Sequence, residues 1–221
     1  MQTNSEENYL KTIYLLSKQG STKVSVTALA SALGNNPASV IEMLKKLREK
    51  KLIEYDKSKG VKLRDSASKA ALLVVRRHRL WELFLQNKLG YTWDEVHDIA
   101  EQLEHVHHPE LADRLDEFLG FPQFDPHGEA IPDKNGLMEN KQYVKLSDCI
   151  PGEKIILTSV LSTSVDFLKF LSSRALKLGL KMKVKSIEPF DRTMIVQYNK
   201  RPAESLSQMV CERLLVEKQG F

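Results

Sequence analysis

Thr27-Ala28-Leu29-Ala30-Ser31-Ala32-Leu33-Gly34-Asn35-Asn36-Pro37-Ala38-Ser39-Val40 reads as a short helix, its stop and the start of a second helix. Ala and Leu favour the first helix, Gly34 suits a left-handed turn residue, and Pro37 stands near the first helical position, where its missing N–H costs little. The second helix is expected over Ala38 to Lys50. It turns Val40, Met43, Leu44 and Leu47 inward and Lys45, Lys46, Arg48 and Lys50 outward. Helix, Gly/Asn/Pro turn, basic helix is helix-turn-helix grammar, which many small helical hairpins share.

The flanking residues narrow that choice. Leu52-Ile53-Glu54-Tyr55-Asp56 and Val61-Lys62-Leu63-Arg64 alternate in and out around Lys57-Ser58-Lys59-Gly60, the pattern of a β-hairpin. A hairpin directly after the helix pair is the wing of a winged helix. Lys57 and Lys59 at its tip suit DNA phosphates, which give affinity without sequence information. Upstream, Ser5 to Lys18 reads as a helix capped by Ser5, with Glu6 and Glu7 in its first turn. Residues 1–64 thus form an expected DNA-binding domain.

Downstream, Ser66 to Leu89 reads as a long helix with a wide apolar surface, carrying His78 and Glu82 one turn apart. Thr92 and Glu95 resemble a capping box opening a helix over 93–108. On that helix His97, Glu101, Glu104, His105 and His108 fall within a sector of roughly 80°. Val96, Ile99, Ala100, Leu103 and Val106 lie opposite. Any surface helix has a polar face; carboxylates interleaved with imidazoles make this one a candidate face for a divalent metal. A short helix over Pro109 to Leu119 follows, then Phe121 to Asn140, Pro-broken and aperiodic, which reads as a linker. Beyond Tyr143, strands are expected at 154–157, 183–187 and 193–198 with a helix over Ser164 to Leu178, suggesting a small β-barrel. The domains expected are 1–64, 65–140 (helical, with the linker) and 141–221. The fold class is mainly α with small β parts.

Composition agrees with a nucleic-acid module beside a cation-binding one. The net charge of +4 conceals +6 over residues 1–64 and −10 over 91–136. At 42% hydrophobic and 28% charged the chain is an ordinary globular one. No apolar run reaches the ~18 residues of a membrane span. Residues 1–7 have neither the basic nor the apolar region of a secretion signal, so a cytoplasmic protein without membrane contact is expected. Cys149 and Cys211 are far apart in sequence and imply neither a thiolate zinc site nor a disulfide framework.

Taken together, Arg77-His78-Arg79-Leu80 with Glu82, Val96-His97-Asp98, Glu104-His105 and Asp125-Pro126-His127-Gly128-Glu129-Ala130-Ile131-Pro132 resemble the diphtheria-toxin-repressor family of metal-dependent transcription regulators, which includes the manganese-transport regulators. The resemblance runs over nearly the whole chain. It implies a winged helix, a helical metal-binding and dimerisation domain, and an SH3-like C-terminal barrel of FeoA type. It also implies a homodimer that binds operator double-stranded DNA when loaded with Mn²⁺ or Fe²⁺, as a repressor of metal-uptake genes.

Two metal sites per subunit follow from the resemblance. The primary one would use Asn8, Glu101, Glu104 and His105. Residue 101 is Cys in iron-type members and Glu in manganese-type ones, and here it is Glu101. Residue 8 is Met or Asp respectively, and Asn8 matches neither. The set has no soft donor, which suits Mn²⁺ or Fe²⁺. The ancillary site would use His78, Glu82 and His97, with Asp166 the nearest carboxylate of the C-terminal domain. Lys11 stands where a manganese-type two-metal cluster has an acidic residue. Base-facing residues align near Asn36, Ala38, Ser39 and Glu42; Glu42 can equally pair with Lys45 or Lys46. Two other readings stay open: a metal-independent winged-helix regulator, and a metal-dependent enzyme. Against the enzyme stand the missing His-Glu-x-x-His, phosphate-loop and nucleophile–base motifs.

Overall fold

The structure is a computed structural model, described for residues 2–17, 20, 22–138, 141–199 and 202–219. The expected helix end at Lys18 and linker end at Asn140 lie outside these residues. The chain divides into two compact units: Met1–Trp81, Glu101–Phe121 and Ile131–Met138 form one, and Glu82–Ala100, Pro122–Ala130 and Glu139–Phe221 the other.

The first unit opens with α1 (Asn4–Leu16), α2 (Val26–Leu33) and α3 (Pro37–Glu49), then β1 (Ile53–Asp56) and β2 (Gly60–Leu63), which pair antiparallel. This is a winged helix-turn-helix. Ser25 caps α2 by accepting from the Ala28 N–H, and Asn36 caps α3 by accepting from the Ser39 N–H. Gly34 ends α2 in the left-handed region at φ 63°. The cap of α1 is Thr3 rather than the expected Ser5; Thr3 and Glu6 exchange hydrogen bonds as a capping box. The wing gains a third edge where Val24 and Val61 exchange backbone hydrogen bonds of 2.9 and 2.8 Å. Gly60 permits that approach, since a Cβ there would stand 2.5 Å from the Val24 carbonyl oxygen. Leu10, Ile13, Leu29, Val40, Leu44, Leu47 and Ile53 close the core beneath.

Two helices continue the chain across the division, α4 (Asp65–Leu89) and α5 (Val96–Leu103), and α6 (Leu111–Phe118) follows in the first unit. α5 ends five residues short of the expected 93–108 helix. The Val106 N–H bonds back to Leu103 in a tight turn, and Pro109 follows soon after, so Glu104 and His105 leave the helical track. The single helical face extending to His108 is therefore corrected.

The second unit contains β3 (Val144–Lys145), β4 (Lys154–Val160), α7 (Val165–Ser173), β5 (Lys181–Ile187), β6 (Met194–Tyr198), β7 (Glu204–Leu206), α8 (Gln208–Cys211) and β8 (Leu214–Lys218). The strands form one antiparallel sheet in the order β3-β8-β4-β5-β6-β7. Among the described residues this sheet stays open between β3 and β7, so the expected barrel is not closed. Alternate residues of β4, β5 and β6 point into a core with Leu168 and Leu171 of α7. Cys149 and Cys211 lie in that core, where burial pushes their thiols up to about 11 and about 12. No described helix is long and apolar enough to cross a membrane.

Candidate metal centre

Consecutive residues of α1 carry three different tasks. Glu6 is buried, and its carboxylate accepts from Lys50 at 2.7 Å and pairs with Lys46 at 2.9 Å, both from the α3 end. Burial alone would raise its pKa, but the two ammonium groups and the Thr3 N–H bring it down to about 2. Glu7 accepts from the Arg77 guanidinium at 2.9 Å and lies 2.8 Å from His105 Nδ1. Asn8 turns its Oδ1 into the protein, where it is buried without a hydrogen-bond partner.

The turn after α5 supplies Glu104 and His105. A neutral His105 that donates from Nδ1 to Glu7 keeps its lone pair on Nε2. That Nε2 is buried without a hydrogen bond, 3.6 Å from Glu104 Oε1. Glu104 is fully buried, with its two oxygens 2.7 and 2.8 Å from Lys11 Nζ and one of them 2.6 Å from His78 Nδ1. Burial pushes the Glu104 carboxyl up, but His78 and Lys11 outweigh it and hold it below the ordinary range. Lys11 also pairs with Glu101, and Arg77 donates to the Glu104 carbonyl. His78 and Glu101 offer ligand atoms within 4.8 Å of one another.

These residues fit a divalent cation. Asn8 Oδ1 and His105 Nε2 are both buried without a hydrogen-bond partner, an arrangement that is costly for the amide oxygen unless something positive lies before it. Glu104 Oε1 and His105 Nε2, 3.6 Å apart, are an oxygen and an imidazole donor, and with an amide oxygen such as that of Asn8 the donor types are free of sulfur, suited to Mn²⁺ or Fe²⁺.

The second unit gathers another group that the sequence does not single out as a ligand set. Glu82, Asp125 and His127 are all buried, with ligand atoms within 4.8 Å of one another. His127 lies 2.8 Å by Nε2 from the Trp93 carbonyl oxygen, and its Nδ1 stands 3.6 Å from Glu82. Burial lowers the His127 pKa, but Glu82 and Asp125 overcome that and leave it raised. The segment expected as a linker has no helix or strand around these residues, yet it is a built loop. Asp125 accepts from the backbone N–H groups of His127 and Glu129 at 2.8 and 3.0 Å. Gly128, at φ 82°, passes so close to β4 that a Cβ would meet the Thr158 oxygen at 2.1 Å. A signal for the loop is present in the sequence: Asp-Pro-His-Gly is Asx-turn chemistry.

The remaining expected site residues fall as follows. His97 lies 3.2 Å from Glu82, in the second unit. His78 bonds Glu104. Asp166 stands exposed in the first turn of α7, outside the Glu82 group. Asn36, Ala38, Ser39, Glu42, Lys45 and Lys46 are exposed on and before α3, and Lys57 and Lys59 are exposed at the wing tip. Lys46 pairs with Glu6, not Glu42. His107 and His108 are exposed.

Residues 1–61 match the family model for the iron-dependent repressor N-terminal DNA-binding domain, and residues 65–133 match the one for its metal-binding and dimerisation domain. The chain belongs to the iron-dependent repressor family. One relative in this family is the diphtheria toxin repressor of Corynebacterium jeikeium, 32% identical over 60% of this chain and 55% of its own length. The chain thus spans about half the length of that curated relative. The transcriptional regulator MntR of Oceanobacillus iheyensis is 33% identical over 55% of this chain and 81% of its own length. The structural likeness to solved repressors extends beyond the residues that the two family models match. A solved manganese-dependent transcriptional repressor in complex with manganese superposes with TM-score 0.88 at 33% identity, covering 97% of this chain and all of the other.

Proposed function

We propose that this chain is a metal-dependent transcriptional repressor that binds operator DNA as a homodimer when loaded with Mn²⁺ or Fe²⁺. The observation that carries the reading is His105 Nε2, buried without a hydrogen bond 3.6 Å from Glu104 Oε1, together with the buried, unpartnered Oδ1 of Asn8 on α1. Asn8, Glu104 and His105 would hold the primary ion, with Glu101 adjoining. Glu82, Asp125 and His127 would hold a second, with His97 beside Glu82. The C-terminal unit is read as the SH3-like, FeoA-type domain.

A bound divalent ion supplies positive charge and open coordination to these groups. The chain's own residues do the rest. Glu7 fixes the tautomer and direction of His105, as a carboxylate behind a metal-ligating imidazole does. Glu6, one residue earlier, grips Lys46 and Lys50 of the helix that faces DNA. Occupancy at Asn8 and orientation of α3 are therefore coupled through one rigid helix, and such couplings run to about 1–3 kcal/mol, acting equally in both directions. Two α3 helices in a two-fold dimer suit a pseudo-palindromic site.

The test is a duplex selected from random sequence in the presence of Mn²⁺, then titrated with the protein in Mn²⁺, Fe²⁺, Zn²⁺ or chelator. Binding at least about tenfold tighter with Mn²⁺ or Fe²⁺ is expected from that coupling. Equal binding with chelator would favour a metal-independent regulator, and turnover of a substrate without a specific footprint would favour an enzyme.

A further inference from the structure

Lys11 is 6% exposed, deep for an ammonium group. Its Nζ lies 2.7 and 2.8 Å from the two oxygens of the fully buried Glu104 and also pairs with Glu101. Buried carboxylates placed side by side repel unless a cation stands between them, and a buried ammonium is tolerated only against such carboxylates. Each side of this contact therefore stabilises the other with no metal present.

We propose that Lys11 is the resident counter-ion of the metal centre: its ammonium neutralises Glu101 and Glu104 in the metal-free chain, and a divalent ion gains those carboxylates only in competition with it. The proposal rests on the reading that Glu104 and His105 hold the metal. Near Glu104 the chain places the carboxylates of Glu7, Glu101 and Glu104 against the cations of Lys11 and Arg77. With the His78 imidazole beside Glu104, Lys11 thus supplies part of the positive charge the described residues set against these carboxylates, and an incoming 2+ ion meets them already partly neutralised. Lys11 also ties α1 to α5 and its following turn without metal. Both effects set the metal concentration at which the site fills: the ion must be available enough, or bind strongly enough, to take Glu104 from the lysine.

The experiment uses the full chain, stripped of metal, with Mn²⁺ as probe, because a methionine at position 11 adds no hard ligand for this ion. Calorimetric titration compares wild type, Lys11→Met and Lys11→Arg. Lys11→Met is expected to bind Mn²⁺ about tenfold tighter, an effect of the size one neighbouring charge exerts at short range. Its melting point in chelator should fall by about 5 °C and recover in excess Mn²⁺. Lys11→Arg, which keeps the charge, should melt near wild type in chelator. If Lys11→Met does not stay folded without metal, it is purified with Mn²⁺ and the release into chelator is timed; slower release than wild type supports the proposal. Unchanged or weaker affinity, or release at the wild-type rate or faster, overturns it. Binding that requires Glu104 and His105 but ignores Lys11 defeats the proposal and leaves the site intact. Binding indifferent to Glu104→Ala and His105→Ala defeats the site, and the proposal with it.

Discussion

The two ligand-rich clusters both set carboxylates beside imidazoles and differ in how their charge is balanced. In the first unit, Glu7, Glu101 and Glu104 meet Lys11 and Arg77, cations from α1 and α4. In the second, Glu82 and Asp125 converge on His127, whose pKa is raised by those carboxylates against the effect of burial. The first cluster is assembled by helix packing, which brings Lys11 to Glu101 and Glu104 across 90 and 93 residues of sequence. The second hangs on a loop whose shape depends on the Asp125 carboxylate and on Gly128. One cluster is therefore sensitive to charge, the other to backbone.

The largest effect expected from that contrast is at Gly128. Gly128→Ala places a Cβ 2.1 Å from the Thr158 oxygen at a left-handed φ. The clash and the strained backbone together should cost about 3 kcal/mol or more. Urea unfolding should show the loss, while Mn²⁺ binding that depends on His105 persists. If both clusters fail together, the contrast is wrong.

Next is His105→Ala, which removes the imidazole while leaving the Glu82 group untouched. Metal-stimulated DNA affinity should fall by about 1–3 kcal/mol, read by fluorescence anisotropy with and without Mn²⁺. An unchanged response would transfer the regulatory role to the second unit.

Glu6→Gln should cost about 1–2 kcal/mol, since it weakens hydrogen bonds to charged partners that are themselves half exposed. The pH dependence has a definite sign. The folded-state pKa of about 2 lies below the ordinary 4.5, so the Glu6 contribution is complete above about pH 4.5. It fades as pH falls toward about 2. Wild-type and Glu6→Gln acid-unfolding curves should therefore converge at low pH.

The smallest effect belongs to the wing. Lys57→Ala with Lys59→Ala should weaken DNA binding alike across sequences and flatten the salt dependence by about one unit of slope for each phosphate left unneutralised. Metal affinity should not change.

The same contrast explains what can be read from one dimension. The winged helix is legible because its punctuation is local: Ser25, Gly34, Asn36 and Pro37 each act within a few residues of chain. The strands over 154–157, 183–187 and 193–198 are legible from alternation, whereas β3 and β7 at the sheet's edges are too brief to show it. The expected helix over 93–108 is overextended because periodicity continues past Leu103 after the helical hydrogen bonding has stopped. The Asp125 loop has the composition of a linker because composition records the prolines but not the hydrogen bonds that order them. By its position Glu7 is a first-turn acid, and only packing reveals that it faces His105. Lys11 is legible as a departure from a family pattern, while its contact with Glu104 requires the fold.

One consequence of α1 lies in its geometry. Successive side chains on a helix leave the axis about 100° apart, so Glu6, Glu7 and Asn8 address three neighbours in three directions. They meet α3, His105 with Arg77, and, for the Asn8 Oδ1, a buried position without a hydrogen-bond partner. Such a helix behaves as a camshaft with three lobes: a small turn about its own axis moves every follower at once and none separately. The register of these residues, more than the strength of any one bond, keeps the three contacts coupled, so inserting or deleting one residue between Thr3 and Lys11 would leave each part present and the coupling lost.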